Sequence, residues 1–256
     1  MKLLTTQETK DLEQQAIKSG MSEQGLIEEA GLAVAQEAWM LLGTLENRSI
    51  IVLAGPGNNG SDGLVAARHL HDWGANITIF TPNGRKSDQN IKELELRDLT
   101  LQKKYGEEIR TELETADLII DSLLGVGKNR AFSENDPISD TLSTLQLARE
   151  NPQPPKVLAV DMPSGVDSDT GAIEPQTVAA DITVTFSTAK VGMYQLPASS
   201  VVGQIQVIDI GIPLPTDETP HLELLTSKWA RNQLPNRPDD ANKGTFGKLL
   251  IVGGST

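Results

Sequence analysis

Short apolar segments alternate with helical segments through most of the chain, and this alternation restricts the fold more than any other feature. The first strand-like segment, Ser49 to Ala54 (SIIVLA), is largely apolar, as expected for a strand that is buried on both faces. Further strand segments lie at residues 76–80, 118–121, 157–161, 182–186 and 204–209. Helical patterns occupy residues 61–73, 90–105 and 140–150, and two more lie in the first 45 residues. The alternation predicts a Rossmann-like three-layer α/β sandwich, with a mostly parallel sheet and helices on both faces.

Two polar residues mark the starts of the first helices. Thr5 and Glu8 have the spacing of a capping box, which predicts a helix that continues to about Lys18. Ser22 is predicted to cap the second helix, whose apolar residues recur at helical spacing.

Charge and residue types exclude several classes of function. The 256-residue chain has 22 Lys and Arg against 35 Asp and Glu, a formal net charge of −13, which disfavours binding to nucleic acid or to anionic membranes. The chain has no cysteine, so disulfides, iron–sulfur clusters and thiol catalysis are excluded. No apolar stretch approaches the ~20 residues that a membrane-spanning helix needs, and the N-terminus lacks a signal-peptide core. We therefore expect a cytoplasmic enzyme that acts on a small molecule.

Three segments rich in Gly and Asp follow predicted strands. One is GPGNNGSDG at residues 55–63, one follows Asp121, and one follows Asp161. A single segment of this kind is often only a turn or a helix cap. Because the carboxyl ends of parallel strands meet at one edge of a sheet, the three together favour a ligand-binding cleft.

The first of these loops matches the dinucleotide fingerprint through Gly55, Gly57 and Gly60. The acidic residue that the fingerprint requires after the second strand is missing, and Asp62 lies where a pyrophosphate would bind. An NAD(P)-dependent dehydrogenase is therefore disfavoured. Backbone amides at the start of the following helix would attract an anion, while side-chain oxygens near it would suit a hard cation. Lys128 could meet a phosphate charge.

Four sequence stretches together resemble the NAD(P)H-hydrate epimerase family, the YjeF N-terminal domain. They are AGPGNNGSDGLVAARHL (54–70), LIIDSLLGVG (118–127), AVDMPSGVDSDTG (159–171) and TAKVGM (188–193). The resemblance extends from residue 1 to about 215. Residues 242–255 resemble the start of an ADP-dependent NAD(P)H-hydrate dehydratase domain, which has a ribokinase-like fold. The resemblance thus implies an epimerase domain at 1–215, and a linker with the truncated start of a dehydratase domain at 216–256.

The resemblance implies an isomerase of nicotinamide cofactor repair. Its substrates would be the R and S hydrates of NADH or NADPH (NADHX and NADPHX), which it would interconvert without a redox cofactor. It also implies a homodimer, a dehydratase domain in the full-length protein and no dehydratase activity from this chain. Two alternatives stay open: a non-catalytic nucleotide-binding scaffold of the same fold, or an NAD(P)-dependent oxidoreductase.

The same resemblance assigns site residues. Asp161, at a strand end, would be the catalytic acid or base. Potassium would be held by Asn59, Asp121 and Ser164. The substrate-binding residues would be Asn58, Asn59, Gly60, Ser61, Asp62, Gly125, Val126, Gly127, Lys128, Asn129, Arg130, Ala131 and Asp161. Ser61 replaces a glycine that the family usually has, and we expect it to serve as a helix N-cap.

Overall fold

A seven-stranded parallel sheet forms the centre of the structure, a computed structural model that describes residues 2–126, 132–133, 135–214, 222–236, 238–242 and 244–251. The strands are β1 (Lys2–Leu4), β2 (Ser49–Ala54), β3 (Asn76–Phe80), β4 (Leu101–Gln102), β5 (Leu118–Ser122), β6 (Lys156–Val160), β7 (Ile182–Phe186), β8 (Ala189–Lys190), β9 (Gln204–Ile208) and β10 (Leu222–Glu223). The helices are α1 (Thr6–Lys18), α2 (Glu23–Leu42), α3 (Asn58–Asp72), α4 (Gln89–Glu95), α5 (Arg110–Thr115), α6 (Pro137–Arg149) and α7 (Ser227–Gln233). Short 3-10 helices cover Gly106–Ile109, Val191–Tyr194 and Ala198–Ser200.

The strand order places a topological switch point beside β2. The main sheet runs β4-β3-β2-β5-β6-β7-β9, and each neighbouring pair is parallel. The chain builds β3 and β4 on one side of β2, then crosses to β5 and continues on the other side. Ligands of open α/β sheets bind at such a reversal, outside the carboxyl ends of the strands. The loops after β2 and β5 therefore meet at the expected binding crevice.

Alternate residues of the central strands pack against opposite helix layers. Ile50 and Val52 of β2 belong to a buried cluster that includes residues of α2 and α3. Ile51 and Leu53 belong to a second cluster, which includes residues of α5 and α6. Because successive strand residues point to opposite faces, an apolar strand such as β2 buries both faces at once. The predicted three-layer α/β architecture is confirmed.

Both predicted helix starts are confirmed. The Thr5 amide donates to Glu8 Oε2 at 2.8 Å, and the Glu8 amide donates to Thr5 Oγ1 at 3.3 Å, which completes the capping box of α1. Ser22 caps α2 by accepting the Gly25 amide at 2.9 Å. These contacts are local in sequence, so the sequence pattern suffices to predict them.

The predicted helix at residues 90–105 is wrong in its length. Helix α4 ends at Glu95, and Asp98 adopts a positive φ of 58°. The chain then forms β4, which pairs in parallel with the end of β3 through Leu101 and Gln102. Pairing with a sheet edge outweighs the helical pattern of this segment, because tertiary contacts override local propensity.

The chain divides into two compact units, Lys2–Leu222 and residues 223–256. The pattern of residues 222–234 favours a short helix, and α7 of the second unit occupies part of that range. The largely apolar residues 248–252 are typical of a buried strand, but no strand forms in the described ones, and Leu249, Leu250 and Ile251 are 86%, 85% and 79% exposed. An apolar segment becomes a strand only when another strand pairs with it, and no described strand pairs with these residues.

None of the helices among the described residues combines the length and the apolar character that crossing a membrane requires.

Candidate active site

The glycines after β2 allow two loops to approach closely. A Cβ atom on Gly55 would lie 1.8 Å from the carbonyl oxygen of Leu123, in the loop that follows β5. A Cβ atom on Gly60 would lie 2.0 Å from the carbonyl oxygen of Gly55. Helix α3 begins directly after this loop, with Gly57 as its N-cap. The glycines thus bring the helix N-terminus, with its free backbone amides, to the switch point, where it can attract an anion.

Ser61 lies within the first turns of α3, so the expectation that it is the helix N-cap is wrong. Its hydroxyl is buried and accepts a hydrogen bond from Arg85. The Arg85 guanidinium also donates to the carbonyl oxygens of Gly55 at 2.6 Å and Gly57 at 2.9 Å. Sequence reasoning missed this arginine, because it lies in a polar segment after β3 that carries no recognisable motif. Arg85 holds the glycine loop by its backbone and so stabilises the shape of the anion-binding turn.

Asp161 occupies a strained position at the end of β6. Its φ is 64°, in the left-handed region that Asp tolerates better than most residues. Its Oδ2 accepts the Val126 amide at 3.1 Å, and its Oδ1 accepts the Thr185 hydroxyl at 3.1 Å. Positive φ at a residue with a functional side chain is typical of active sites.

Lys190 completes the surroundings of Asp161. Its ammonium donates to Asp161 Oδ1 and, at 2.7 Å, to the hydroxyl of Thr185. The Lys190 side chain is only 2% exposed, and the Asp161 side chain is 13% exposed. Sequence reasoning did not assign this lysine a role. The available signal was that Lys190 is a charged residue within the largely apolar segment TAKVGM. A lysine in such a segment is rarely buried unless it pairs with an acid.

Asp121 and Ser164 are brought together as a buried pair. The Ser164 hydroxyl donates to Asp121 Oδ1 at 2.6 Å, and the Ser164 amide donates to Asp121 Oδ2 at 2.8 Å. Burial raises the pKa of Asp121, although the hydrogen bonds from Ser164 and Leu123 lower it in part. This contact joins the loops that follow β5 and β6.

Asn59 has a buried side-chain amide whose Oδ1 and Nδ2 both lack a hydrogen-bond partner. It faces Gly125, where a Cβ atom would lie 2.9 Å from Asn59 Oδ1 and 3.2 Å from Asp161 Oδ2. An orphaned buried amide is unfavourable unless a ligand satisfies it. Asn59 therefore indicates a ligand between α3 and the loop after β5.

A cavity of about 580 Å³ opens over these residues. Of the predicted substrate-binding residues, the described ones that line it are Asn58, Asn59, Asp62, Gly125, Val126 and Asp161. Gly60 and Ser61 are buried behind the wall of the cavity. Gly127, Lys128, Asn129, Arg130 and Ala131 lie outside the described residues. The volume is in the range of small-molecule and cofactor sites, ~300–1,000 Å³.

Helix α1 forms a wall of the cavity that sequence reasoning missed. Lys10, Glu13 and Gln14 line it from this side, and Glu23 and Leu26 of α2 adjoin them. Asn58 also donates to Glu23 Oε1 at 3.0 Å, which links α3 to α2. No sequence signal placed the N-terminal helices near the strand ends, because their position depends on tertiary packing.

Asp62 is a buried carboxyl on the same cavity. Desolvation raises its pKa well above 3.8, and the charges of Asp161 and Glu13 raise it further. Burial therefore disfavours the ionised form of Asp62. A carboxyl group that keeps its proton can donate a hydrogen bond to an anion, which weakens the argument from the sequence against a pyrophosphate at this position.

The described residues contain no group of three or more His, Cys, Asp or Glu side chains that could hold a metal ion. Of the three predicted potassium ligands, only Asp121 is a carboxylate, and the structure shows Asp121 in contact with Ser164.

Comparison with known proteins finds relatives that are named for NAD(P)H hydrates. The family model for the YjeF-related protein N-terminus matches residues 23–192. The NAD(P)H-hydrate epimerase of Leuconostoc mesenteroides is 32% identical over 220 residues, which cover 84% of this chain and 94% of that protein. The bifunctional NAD(P)H-hydrate repair enzyme Nnr of Moorella thermoacetica is 36% identical over 244 residues, covering 90% of this chain and 44% of the enzyme. The chain thus spans less than half of that bifunctional relative.

The fold has a solved counterpart. The crystal structure of yeast ynu0 (YNL200c) superimposes with a TM-score of 0.69 at 24% sequence identity, covering 88% of this chain and 100% of the yeast chain.

Proposed function

The chain belongs to the family of the YjeF-related protein N-terminus, and from this premise we propose that it epimerises hydrated NADH or NADPH. The observation that carries the proposal is the Asp161–Lys190 pair, which faces a cavity at the switch point of a Rossmann-like sheet. The names of the relatives supply the substrate class, NADHX or NADPHX, and the reaction, an isomerisation.

The reaction requires proton transfer beside a ring hydroxyl. The carbon that changes configuration bears a hydroxyl and neighbours the ring nitrogen, so its configuration is lost when the ring opens or when water leaves and returns. Asp161 has both oxygens occupied by N–H and O–H donors, an arrangement suited to a carboxylate that accepts a proton. Such a base typically contributes ~10²–10⁴-fold to a rate.

Lys190 supplies the positive charge that this carboxylate needs. A carboxylate enclosed in a largely apolar wall is unfavourable unless a partner compensates its charge. The buried ammonium does so, and its second contact to Thr185 fixes its direction. Lys190 thus orients Asp161 Oδ1, while the Val126 amide holds Oδ2 at the cavity surface.

The neighbouring loops are suited to the charged part of the substrate. The free amides at the N-terminus of α3 face the cavity, where they can bind a pyrophosphate oxygen. Asp62 adds a neutral donor at the same helix end. Lys10 contributes a positive charge from α1. These groups supply hydrogen-bond donors and a positive charge for an anion in a cavity whose lining also includes Glu13 and Glu23.

A potassium ion is part of the proposal. The orphaned amide of Asn59 fits an ion that binds oxygen, and the oxygens of Asp121 and Ser164 offer the same type of ligand. One carboxylate among three oxygen ligands favours a monovalent cation over calcium. Bound there, potassium would join α3, β5 and the loop after β6, and would offset the charge of Asp121.

A homodimer and a dehydratase domain in the full-length protein stay predictions of the sequence resemblance, and a cytoplasmic location stays a prediction of the composition. The direct test of the proposal is incubation of the protein with R-NADHX or R-NADPHX, with the ratio of R to S hydrate followed over time. We expect the ratio to reach equilibrium faster than without protein. An unchanged rate of interconversion with both substrates would refute the proposed function.

A further inference from the structure

Glu13 is an acidic side chain in the cavity that the Asp161–Lys190 pair does not use. It projects from α1 and lines the cavity together with Asp161, Asp62 and Lys190. The side chain is accessible from solvent, and it has no hydrogen bond or ion pair with any described residue. A carboxyl group in this position is free to contact a bound ligand.

Helix α1 is held in place at its start and along its later turns, so the fold fixes the position of Glu13. At its start, the Thr6 amide donates to Asp169 Oδ1 at 2.6 Å, in the loop that follows β6. Further along, Leu12 and Ala16 are buried in a cluster with residues of α2 and the segment after β9. The helix thus carries Glu13 to the same cavity as Asp161, although the two residues belong to different elements.

Glu13 and Asp161 have different electrostatic surroundings. Desolvation and the charge of Asp161 raise the pKa of Glu13, the charge of Glu23 raises it slightly, and Lys190 and Lys10 lower it in part. Glu13 in turn raises the pKa of Asp62. Asp161 accepts hydrogen bonds from three donors, whereas Glu13 accepts no hydrogen bond from the described residues. Two carboxyl groups that line one cavity, one held by three donors and the other unpaired among the described residues, are an arrangement that an acid and base pair can use.

We propose that Glu13 is a second catalytic residue, which gives a proton to the departing hydroxyl while Asp161 takes one from the water that returns. This inference rests on the proposed epimerase function. Inversion requires the hydroxyl to leave one face of the ring and to return on the other. Glu13 of α1 and Asp161 at the end of β6 come from separate elements that line the same cavity, so each can serve one face of the ring.

The step balances in atoms and charge. The carbon–oxygen bond breaks with its electron pair on oxygen, the Glu13 proton converts the leaving group into water, and the lone pair of the ring nitrogen forms a carbon–nitrogen double bond. Water then adds to the same carbon from the other face, the double bond returns its electrons to nitrogen, and the extra proton passes to Asp161. Transfer of that proton through the released water to Glu13 restores both groups.

The test uses the full chain with R-NADHX as substrate and compares Glu13→Gln with Asp11→Asn. Asp11 lies on the same helix, is exposed and does not line the cavity, so its substitution removes one charge without touching the site. We expect Glu13→Gln to lower kcat by ~10²-fold with little change in KM, since general-acid catalysis contributes ~10²–10⁴-fold. Asp11→Asn should leave both constants unchanged.

The pH profile separates proton transfer from a structural role. The wild-type kcat should fall as pH rises through the pKa of Glu13, because the acid must be protonated, and this fall should be absent in Glu13→Gln. Glu13→Asp, which keeps the acid, should retain part of the rate and the fall. Melting temperatures show whether each variant folds. If Glu13→Gln does not fold, the comparison is made with Glu13→Asp instead.

Two outcomes would overturn the inference while leaving the proposed function intact. One is a wild-type kcat and pH profile for Glu13→Gln while Asp161→Asn is inactive. The other is a rise in KM alone, which would make Glu13 a binding group. Absence of epimerisation by the wild-type chain would instead refute the proposed function itself.

Discussion

Lys190 donates a hydrogen bond to Asp161 across 29 positions of sequence, and its side chain is almost completely buried in doing so. A lysine is rarely buried without a paired acid, so the contact explains both residues at once. It also connects the edge of the small β1–β8 pair to the end of β6 in the main sheet. The Asp161–Lys190 pair therefore both stabilises this part of the fold and positions the proposed catalytic carboxylate.

Asp161→Asn should lower the epimerisation rate by ~10²-fold or more, because the amide cannot take up a proton in the required range. Asparagine is well tolerated at positive φ and keeps the hydrogen-bonding shape of the side chain, so the backbone at this position should be preserved. The measurement is the R to S ratio of NADHX over time. Near-normal epimerisation by this variant would assign Asp161 a different role.

Lys190→Met should destabilise the protein by ~3–5 kcal/mol, because it leaves the Asp161 carboxylate enclosed without its ionic partner. The double variant Lys190→Met, Asp161→Asn should regain part of this loss, since the uncompensated charge is then gone. Urea unfolding of the wild type, both single variants and the double variant gives the coupling free energy. Additive effects of the two substitutions would contradict an energetic link between the residues.

Replacing potassium by tetramethylammonium should lower both the melting temperature and the epimerase rate, because the larger cation cannot reach the oxygens around Asn59. Asn59→Ala should remove most of the difference between the two cations. Asn76→Ala, at an exposed position of β3, is the matched control and should respond to the cations as the wild type does. If the wild type behaves identically in both cations, no potassium site is present.

Asp62 should make the protein less stable as pH rises. Its pKa in the folded state is raised above the ordinary value of 3.8, so the folded protein holds a proton that the unfolded chain has released. The stabilisation is complete below the unfolded pKa and is lost as pH rises through the folded pKa. Asp62→Asn should therefore reduce the fall in unfolding free energy between about pH 4 and the folded pKa.

Urea midpoints at a series of pH values measure this dependence. Asp11→Asn serves as the control, because Asp11 is exposed and should leave the pH dependence unchanged. A wild-type-like slope in Asp62→Asn would show that other buried carboxyl groups dominate it.

Removal of residues 216–256 should leave epimerase activity intact. Neither the full chain nor the shortened form should have dehydratase activity. The site residues and the main sheet lie within Lys2–Leu222, whereas the described apolar residues Leu249, Leu250 and Ile251 are exposed. A second form cut after Leu222 retains part of β10 and tests whether that strand matters. Loss of folding in the form cut after Pro215 but not in the longer one would move the domain boundary. Loss of folding in both shortened forms would refute the proposed boundary between the epimerase domain and the rest of the chain.

The local elements of this fold are predictable because their signals lie within a few residues of each other. The capping box of α1 and the cap of α2 each depend on a side chain and a backbone amide three positions apart. The central strands of the main sheet, such as β2 and β5, are predictable because burial on both faces demands continuous apolar residues. The error at residues 90–105 arises where pairing with β3, a contact distant in sequence, decides against a helical pattern.

The sequence by itself determined the fold class and the glycine-rich crevice, because apolar periodicity and the steric limits of glycine act locally. It also pointed to Asp161, Asp121 and Asn59, which follow strand ends. Only the tertiary structure placed Lys190 against Asp161, Arg85 against the glycine loop and Glu13 in the lining of the cavity. Those placements depend on how helices and strands far apart in the chain pack together. The charge that each carboxyl carries depends on the desolvation and the neighbouring charges that this packing creates.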